Sequence, residues 1–372
     1  MGEESDAGRA RSVDDTIARA DAPLAAIVEK PQAETAIESL RTEGVYDDCR
    51  QILEDGPDEV ALPVTETPTE TQVLEVVRQL EPKFRTTDLA DLLAERGWSD
   101  ADLESAPKSW AVIGSVVLVS IPDNCPDERA VAEALLELHG ETDSVLANEG
   151  IANDGEAGTY REPKTRLLAG ESETETIHTE HGTRYGLDPA TVMFSPGNQA
   201  ERARMGEVCA EDERVFDMFA GIGYFTLPMA RSGARVTATE INPTAFRYLL
   251  ENAVLNDVSD RVDAYMTDCR KLADDLEADR VVMGYYGTSE DDSSQRRDEA
   301  HDFLPEALEA LVPGGIVHYH EATPEALLWE RPTERLEEAV DGAGRTLEYL
   351  DRRRIKSHSA GVEHVVLDVR ID

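Results

Sequence analysis

Val215-Phe216-Asp217-Met218-Phe219-Ala220-Gly221-Ile222-Gly223-Tyr224 reads as a buried strand that runs into a glycine turn and then a helix over Phe225 to Arg231. Gly221 and Gly223 remove Cβ atoms where backbone must approach a ligand. The start of the helix supplies N–H donors that have no partner within it. A glycine turn alone can be no more than a tight turn, so the decision falls on the strands that follow. The strand Val236 to Thr239 ends on Glu240, with Ile241, Asn242 and Pro243 next, 17 to 19 positions beyond the two glycines. A carboxylate there can accept both ribose hydroxyls of an adenosine ligand. The next strand, Ala264 to Thr267, ends on Asp268, where an acid can meet the adenine amino group. With Asp217, three acidic strand ends stand in order. They favour S-adenosylmethionine (SAM) over a dinucleotide, because SAM has no pyrophosphate and the turn lacks the G-x-G-x-x-G spacing.

Working outward, residues 192–372 repeat strand and helix with the period of a doubly wound sheet. Strands are expected at Arg214 to Met218, Arg235 to Thr239, Val262 to Met266, Arg280 to Met283, Gly315 to His320, Leu347 to Leu350 and His364 to Val369. Helices are expected to begin near Tyr224, Pro243, Lys271, His301 and Thr333. The fold class is therefore α/β, with a Rossmann-like SAM-dependent transferase domain. Residues 72–191 read as a mixed α/β middle domain. Its helices are expected at Val73 to Leu80, Leu89 to Arg96 and Asp127 to His139, and its strands at Ser115 to Ile121, Val145 to Ala147, Arg166 to Leu168 and Thr174 to His178. Residues 25–65 form a small α+β module, followed by a Pro/Thr/Glu linker, and residues 1–24 read as a disordered leader.

The chain has 372 residues, enough for two or three domains. No apolar run is long enough for a membrane helix, and the N-terminus has no signal-peptide core, so a cytoplasmic enzyme is expected. The four cysteines show neither C-x-x-C spacing nor a His-paired metal pattern, and the histidines His178, His318, His320 and His358 lack supporting ligands. No metal and no obligate protein partner is expected. The net charge is −42, from 78 acidic against 36 basic residues, of which only six are lysines. The acid is spread along the whole chain rather than gathered in a tail. That pattern suits a halophilic surface in molar salt, where screening over roughly 3 Å removes self-repulsion. Acidity then reports the solvent, and the few basic clusters carry the information about nucleic acid. The densest is Arg352, Arg353, Arg354 and Lys356, a candidate for phosphate contacts.

The segment Met193 to Met205, which contains Ser195-Pro196-Gly197-Asn198 and Arg202, resembles a known superfamily when joined to Asp217–Gly223 and Glu240–Pro243. Its two branches are the archaeal and eukaryotic tRNA guanine-37 N1-methyltransferases and the wybutosine-synthesis tRNA 3-amino-3-carboxypropyltransferases. The resemblance covers about residues 107–372, with a weaker likeness of residues 26–64 to the small N-terminal domain of the methyltransferases. The branches part at the end of the fourth strand, where the methyltransferases carry an Asn-Pro-Pro type motif over the base. Here the chain reads Val281-Val282-Met283-Gly284-Tyr285-Tyr286, which with His318–Glu321 and Gly197-Asn198 is similar to the aminocarboxypropyl branch.

That resemblance implies transfer of the 3-amino-3-carboxypropyl group of SAM to 4-demethylwyosine, the tricyclic guanosine derivative at position 37 of tRNA. It places Ser195 and Arg202 at the SAM pocket, Glu240 at the ribose, and Asp268 with Cys269 at the adenine edge. Asp217, Gly221, Gly223 and Asn242 complete the cofactor-binding set. Arg161, Glu180 and Tyr285 are the expected catalytic residues, the first two because they match positions that help activate guanine in the methyltransferases. Two other readings stay open: guanine N1-methylation, and a non-catalytic RNA-binding module that keeps a SAM-like fold.

Overall fold

The computed structural model describes residues 22–80, 82–83, 88–285, 299–359 and 361–372. Most of the expected leader lies outside the described residues, and so does Tyr286. The chain forms two compact units, residues 1–88 and 89–372.

In the first unit β1 (Leu24–Glu29) is the centre of a four-stranded antiparallel sheet with β2 (Leu53–Glu54), β3 (Glu59–Val64) and β4 (Glu75–Arg78), in the order β2-β3-β1-β4. Strand β1 is buried on both faces. Ala26 and Val28 pack with Ala36 and Leu40 of the helix Ala33–Glu43, while Ala25 and Ile27 meet Ala61, Leu53 and Val77. Residues 75–78, expected as part of a helix, are instead a strand. Val76 and Val77 are β-branched, and the unfilled edge of β1 takes the segment up. The expected linker is fixed by one side chain, since Glu43 accepts the backbone N–H groups of Thr69, Glu70 (2.9 Å) and Thr71 (3.0 Å).

The second unit opens with the helices Leu89–Glu95 and Asp100–Glu104 and a sheet of β5 (Trp110–Ile113), β6 (Val116–Val119), β7 (Ser144–Ile151) and β8 (Pro163–Gly170). Strands β6 and β7 are parallel, so the chain must cross over between them. The helix Glu128–Leu138 does this, capped by Asp127 and burying Val131, Ala132, Ala134 and Leu135. A short helix, Gly155–Thr159, separates β7 from β8, and the hairpin β9 (Thr176–Glu180) and β10 (Thr183–Leu187) follows.

The remaining strands are β11 (Arg214–Asp217), β12 (Arg235–Glu240), β13 (Val262–Met266), β14 (Ala278–Met283), β15 (Leu311–Pro324), β16 (Leu347–Ser359) and β17 (Val362–Ile371). They form one sheet in the order β13-β12-β11-β14-β15-β17-β16, with β17 antiparallel to both neighbours. Helices Thr226–Arg231 and Pro243–Leu255 return the chain between β11, β12 and β13. The helix expected near Lys271 does not form. Strand β14 begins soon after Asp268, leaving room only for two 3-10 turns, Cys269–Lys271 and Ala273–Asp275. Chain order reverses between β11 and β14, and such a reversal opens a crevice beyond the carboxyl ends of the strands. Among the described residues no helix is long and apolar enough to cross a membrane.

Candidate active site

A cavity of about 710 Å³ lies at that crevice, within the size range of small-molecule sites. Gly221 supplies its turn at φ 57°, and Gly223 follows at φ 102°, both in the left-handed region that side chains avoid. Glu240 ends β12 at the cavity wall. One of its oxygens accepts the Gly221 N–H (2.8 Å) and the other the Asn242 N–H (2.7 Å). A carboxylate has about four lone-pair sites, so each oxygen keeps one for a further donor. Two acceptors side by side fit the vicinal hydroxyls of a ribose. Burial raises the Glu240 carboxyl above its ordinary range, against the pull of these two N–H groups.

Next along the sheet, Asp268 and Cys269 border the cavity. Arg270 holds both oxygens of Asp268 (Nε 2.9 Å, Nη2 2.6 Å) and lowers its pKa, while burial pushes the Cys269 thiol up to about 12. On the other side of β11, Tyr285 and Phe219 have ring centroids 5.1 Å apart, and Phe303 meets Phe219 edge-on at 4.9 Å. Arg161, at φ 54°, carries its guanidinium 5.7 Å from the centre of the Tyr285 ring. Its loop is tied down by Asn242, whose Nδ2 donates to the Tyr160 carbonyl (3.4 Å) while its Oδ1 caps the helix that begins at Pro243.

The structure therefore brings together Arg161, Gly221, Glu240, Asn242, Asp268, Cys269 and Tyr285. Five other expected residues do not line this cavity. Asp217 is wholly buried, accepting the Thr226 hydroxyl (2.7 Å), and burial raises its pKa to about 6. Gly223 lies under the turn, where an added Cβ would come 2.8 Å from Leu227. Glu180 and Arg202 form a buried bidentate ion pair at 2.6 and 2.8 Å, beside a separate cavity of about 300 Å³. Burial opposes the Glu180 carboxylate, but His178 (3.1 Å) and Arg202 outweigh it and hold its pKa below the usual range. Arg202 also donates to the Ser195 carbonyl (2.9 Å), and the Ser195 hydroxyl meets Lys356. These groups set the course of residues 195–202 from behind.

The basic cluster lies within β16, and much of its charge is spent internally. Arg353 pairs with Glu201, Asp351 and Asp368, and Arg354 with Glu363 through two bonds of 2.7 Å. Arg352 is exposed and lies 5.7 Å from the Trp329 ring centre. Among the described residues no group of three His, Cys, Asp or Glu could hold a metal. Sequence reasoning missed Phe219, Tyr224, Phe303 and the stretch Asn153–Gly155, all of which line the cavity. Phe219 and Tyr224 were in plain view within the turn, whereas nothing in the sequence marks Phe303.

A reversed parallel sheet, a glycine turn and a ribose-type carboxylate in one crevice define a Rossmann-like domain of the SAM-binding class. Comparison with known proteins narrows this further. Residues 176–348 match the TRM5/TYW2 methyltransferase domain, and residues 89–174 the TYW2 N-terminal domain. The tRNA(Phe) (4-demethylwyosine(37)-C(7)) aminocarboxypropyltransferase of Pyrococcus horikoshii is 40% identical over 71% of this chain and 90% of its own length. The crystal structure of P. horikoshii TYW2 in complex with MeSAdo is similar at a TM-score of 0.63 and 37% identity, covering 76% of this chain and 97% of that one. Trm5b from Pyrococcus abyssi is similar at a TM-score of 0.69 and 30% identity, covering 94% and 99%. The chain belongs to the TRM5/TYW2 family, as Met193–Met205, the glycine turn and Glu240–Pro243 led us to expect.

Proposed function

We propose that this protein transfers the 3-amino-3-carboxypropyl group of SAM to C7 of 4-demethylwyosine at position 37 of tRNA. The observation that carries the reading is the end of β14. Gly284-Tyr285, just after β14, borders the same crevice as Glu240, and neither residue offers a side-chain amide for a guanine edge. The likeness to the P. horikoshii enzyme supports it.

SAM supplies an activated sulfonium: C7 of the base attacks the methionine γ-carbon, the S–Cγ bond breaks and its electron pair leaves with methylthioadenosine, and C7 then loses its hydrogen as a proton to solvent, its C–H electron pair restoring the aromatic ring. The protein's work is then to position two substrates, and no covalent nucleophile is required. Glu240 holds the ribose hydroxyls. Asp268 and Cys269 border the adenine, and Asp268 accepts from its amino group once Arg270 yields one of its bonds. Phe219, Tyr285 and Phe303 form an aromatic wall on which the thioether side of the ligand or the tricyclic base can stack. Arg161 and Tyr285 orient the base at the mouth. Glu180, Arg202, Ser195 and Asp217 support the pocket from outside it.

Residues 89–174 present the substrate side to tRNA, and Arg352 and Lys356 meet its phosphates. The enzyme works in the cytoplasm, and its acidity is a halophilic adaptation, so its melting temperature should climb steadily as KCl is raised toward molar concentration. A melting temperature independent of salt would remove that part of the reading.

One observation favours guanine-37 N1-methylation as the second reading. The likeness to Trm5b covers 94% of the chain and so reaches into the first unit, whereas that to TYW2 covers 76%. Product analysis separates the two. With SAM labelled in the methionine carbons and tRNA lacking the modification, we expect methylthioadenosine and label in the tRNA. Release of S-adenosylhomocysteine would establish methylation instead, and failure to bind SAM in concentrated salt would leave a non-catalytic RNA-binding module.

A further inference from the structure

Phe303 lines the cavity and touches both of its halves. Its ring meets Phe219 at 4.9 Å and Tyr285 at 6.1 Å, and the Arg270 guanidinium that holds Asp268 lies 4.8 Å from its centre. The residue ends a single 3-10 turn, Ala300–Phe303, which leads into the helix Leu304–Ala310. The Glu299 N–H donates to Asp302 Oδ2 (2.8 Å) and the Asp302 N–H to the Glu299 carbonyl (3.0 Å), so the turn is closed on itself. So short a turn is not stable alone and takes its place from what it packs on. Ala300 and Leu304 are buried in the core on its inner side. Its first residue is tied down by charge: Arg335, on the helix Glu330–Gly342, pairs through Nη1 with Glu299 Oε2 at 2.8 Å.

The same Arg335 nitrogen is 3.1 Å from Glu321 of β15, a buried carboxylate that also accepts Arg331 Nε (2.8 Å) and the Tyr319 hydroxyl. Two arginines one helical turn apart thus serve one buried acid. Arg335 reaches Glu299 in addition, whereas the second contact of Arg331 is the Ala322 carbonyl. The side chains of Arg335 and Glu299 are 21% and 13% exposed, so salt screens their pair far less than a surface one. Resting on the SAM reading above, we propose that Arg335 is a positioning residue for nucleoside binding: by pairing with Glu299 it fixes the start of the turn and so holds the Phe303 ring against Phe219, Tyr285 and Arg270. Arg335 does not line the cavity. Its effect runs through Glu299 and the turn to a ring that does.

The test compares Arg335→Met with Arg331→Met in the full chain, in molar KCl, by calorimetry with methylthioadenosine, steady-state kinetics and melting temperature. Each variant takes one cation from Glu321, and both should lower the melting temperature. Arg335→Met alone should weaken methylthioadenosine binding, by about five- to tenfold, the worth of one aromatic or cation–π contact. It should raise the KM for SAM by a like factor, with kcat changed less than about threefold, as loss of binding shared by ground and transition states requires. Mere destabilisation would lower kcat through a smaller folded fraction and leave KM alone. Glu299→Ala breaks the same pair but leaves Glu321 both arginines, so it should match Arg335→Met in affinity while melting closer to wild type. Arg335→Lys keeps a cation near Glu299 and should recover most of the affinity. Phe303→Leu should weaken binding by itself, and adding Arg335→Met to it should cost less than about twofold more, since both act through one ring. Wild-type affinity in Arg335→Met, an equal loss in Arg331→Met, or additive losses with Phe303→Leu would each overturn the positioning role while wild type still binds. A wild type that binds no methylthioadenosine would overturn the SAM reading, and this role with it.

Discussion

Replacing Arg202 with methionine separates a structural from a ligand-binding role for a residue the sequence had assigned to the SAM pocket. Arg202 and Glu180 side chains are each 3% exposed and joined by two short bonds. Methionine fills the space of the stem but leaves the Glu180 carboxylate with His178 as its remaining partner. Breaking a buried pair from one side costs about 3–5 kcal/mol. For a unit the size of residues 89–372, at about 2 °C per kcal/mol, that lowers the melting temperature by about 6–10 °C. The pH dependence carries a sign. In the wild type the Glu180 pKa is held low, so its contribution is present at neutral pH and lost only as pH falls through the folded value. Without the guanidinium, burial dominates and raises that pKa, so the variant loses stability as pH rises, and its gap to wild type widens between about pH 4 and 7. Thermal unfolding by near-ultraviolet circular dichroism, in molar KCl across that range, measures both. Replacing the whole pair with Glu180→Leu and Arg202→Met should recover most of the loss. A melting temperature within about 2 °C of wild type at every pH would refute the reasoning. So would a loss of methylthioadenosine affinity beyond about tenfold in folded protein, since that would put the guanidinium on the ligand.

Glu240→Gln keeps the shape but gives up the charge that would accept two hydroxyls. SAM affinity by calorimetry should fall roughly 10- to 100-fold, given about 1.5–3 kcal/mol for a bond to a charged group, and an unchanged affinity would remove Glu240 from the ribose. Burial lifts the Asp217 carboxyl to about 6, so its contribution to stability is present below the ordinary carboxylate pKa and lost as pH rises through about 6. Asp217→Asn should therefore flatten the stability profile between about pH 4 and 6 and melt at or above the wild-type temperature at pH 7; a variant that melts well below wild type there would contradict this. For the basic cluster, Arg352→Ala should reduce the salt slope of tRNA binding by about 1 with no change in stability. Arg353→Ala should chiefly destabilise the fold, because its guanidinium bridges Glu201, Asp351 and Asp368. Equal effects of the two on binding would show that Arg353 also reaches RNA.

The sequence alone determined the doubly wound sheet, because strand and helix periodicities and the turn after β11 are local, and local patterns survive in one dimension. It also marked Glu240, Asp268 and Gly221, since residues at the carboxyl ends of parallel strands must converge wherever chain order reverses, while Tyr285 came from the family resemblance. What it could not determine was which way a side chain turns once packed. Asp217 stands at a strand end like Glu240, yet Thr226 draws it into the core, while the Gly221 and Asn242 N–H groups hold Glu240 at the wall. Arg202, Glu180 and the arginines of β16 carry charge that suits a ligand or RNA. Only tertiary packing showed that most of it is spent on partners far away in sequence, as Arg353 is on Glu201. The strand at Glu75–Arg78 makes the same point. It is fixed by the open edge of β1, and that cause is non-local, so it leaves no mark in its own stretch of sequence.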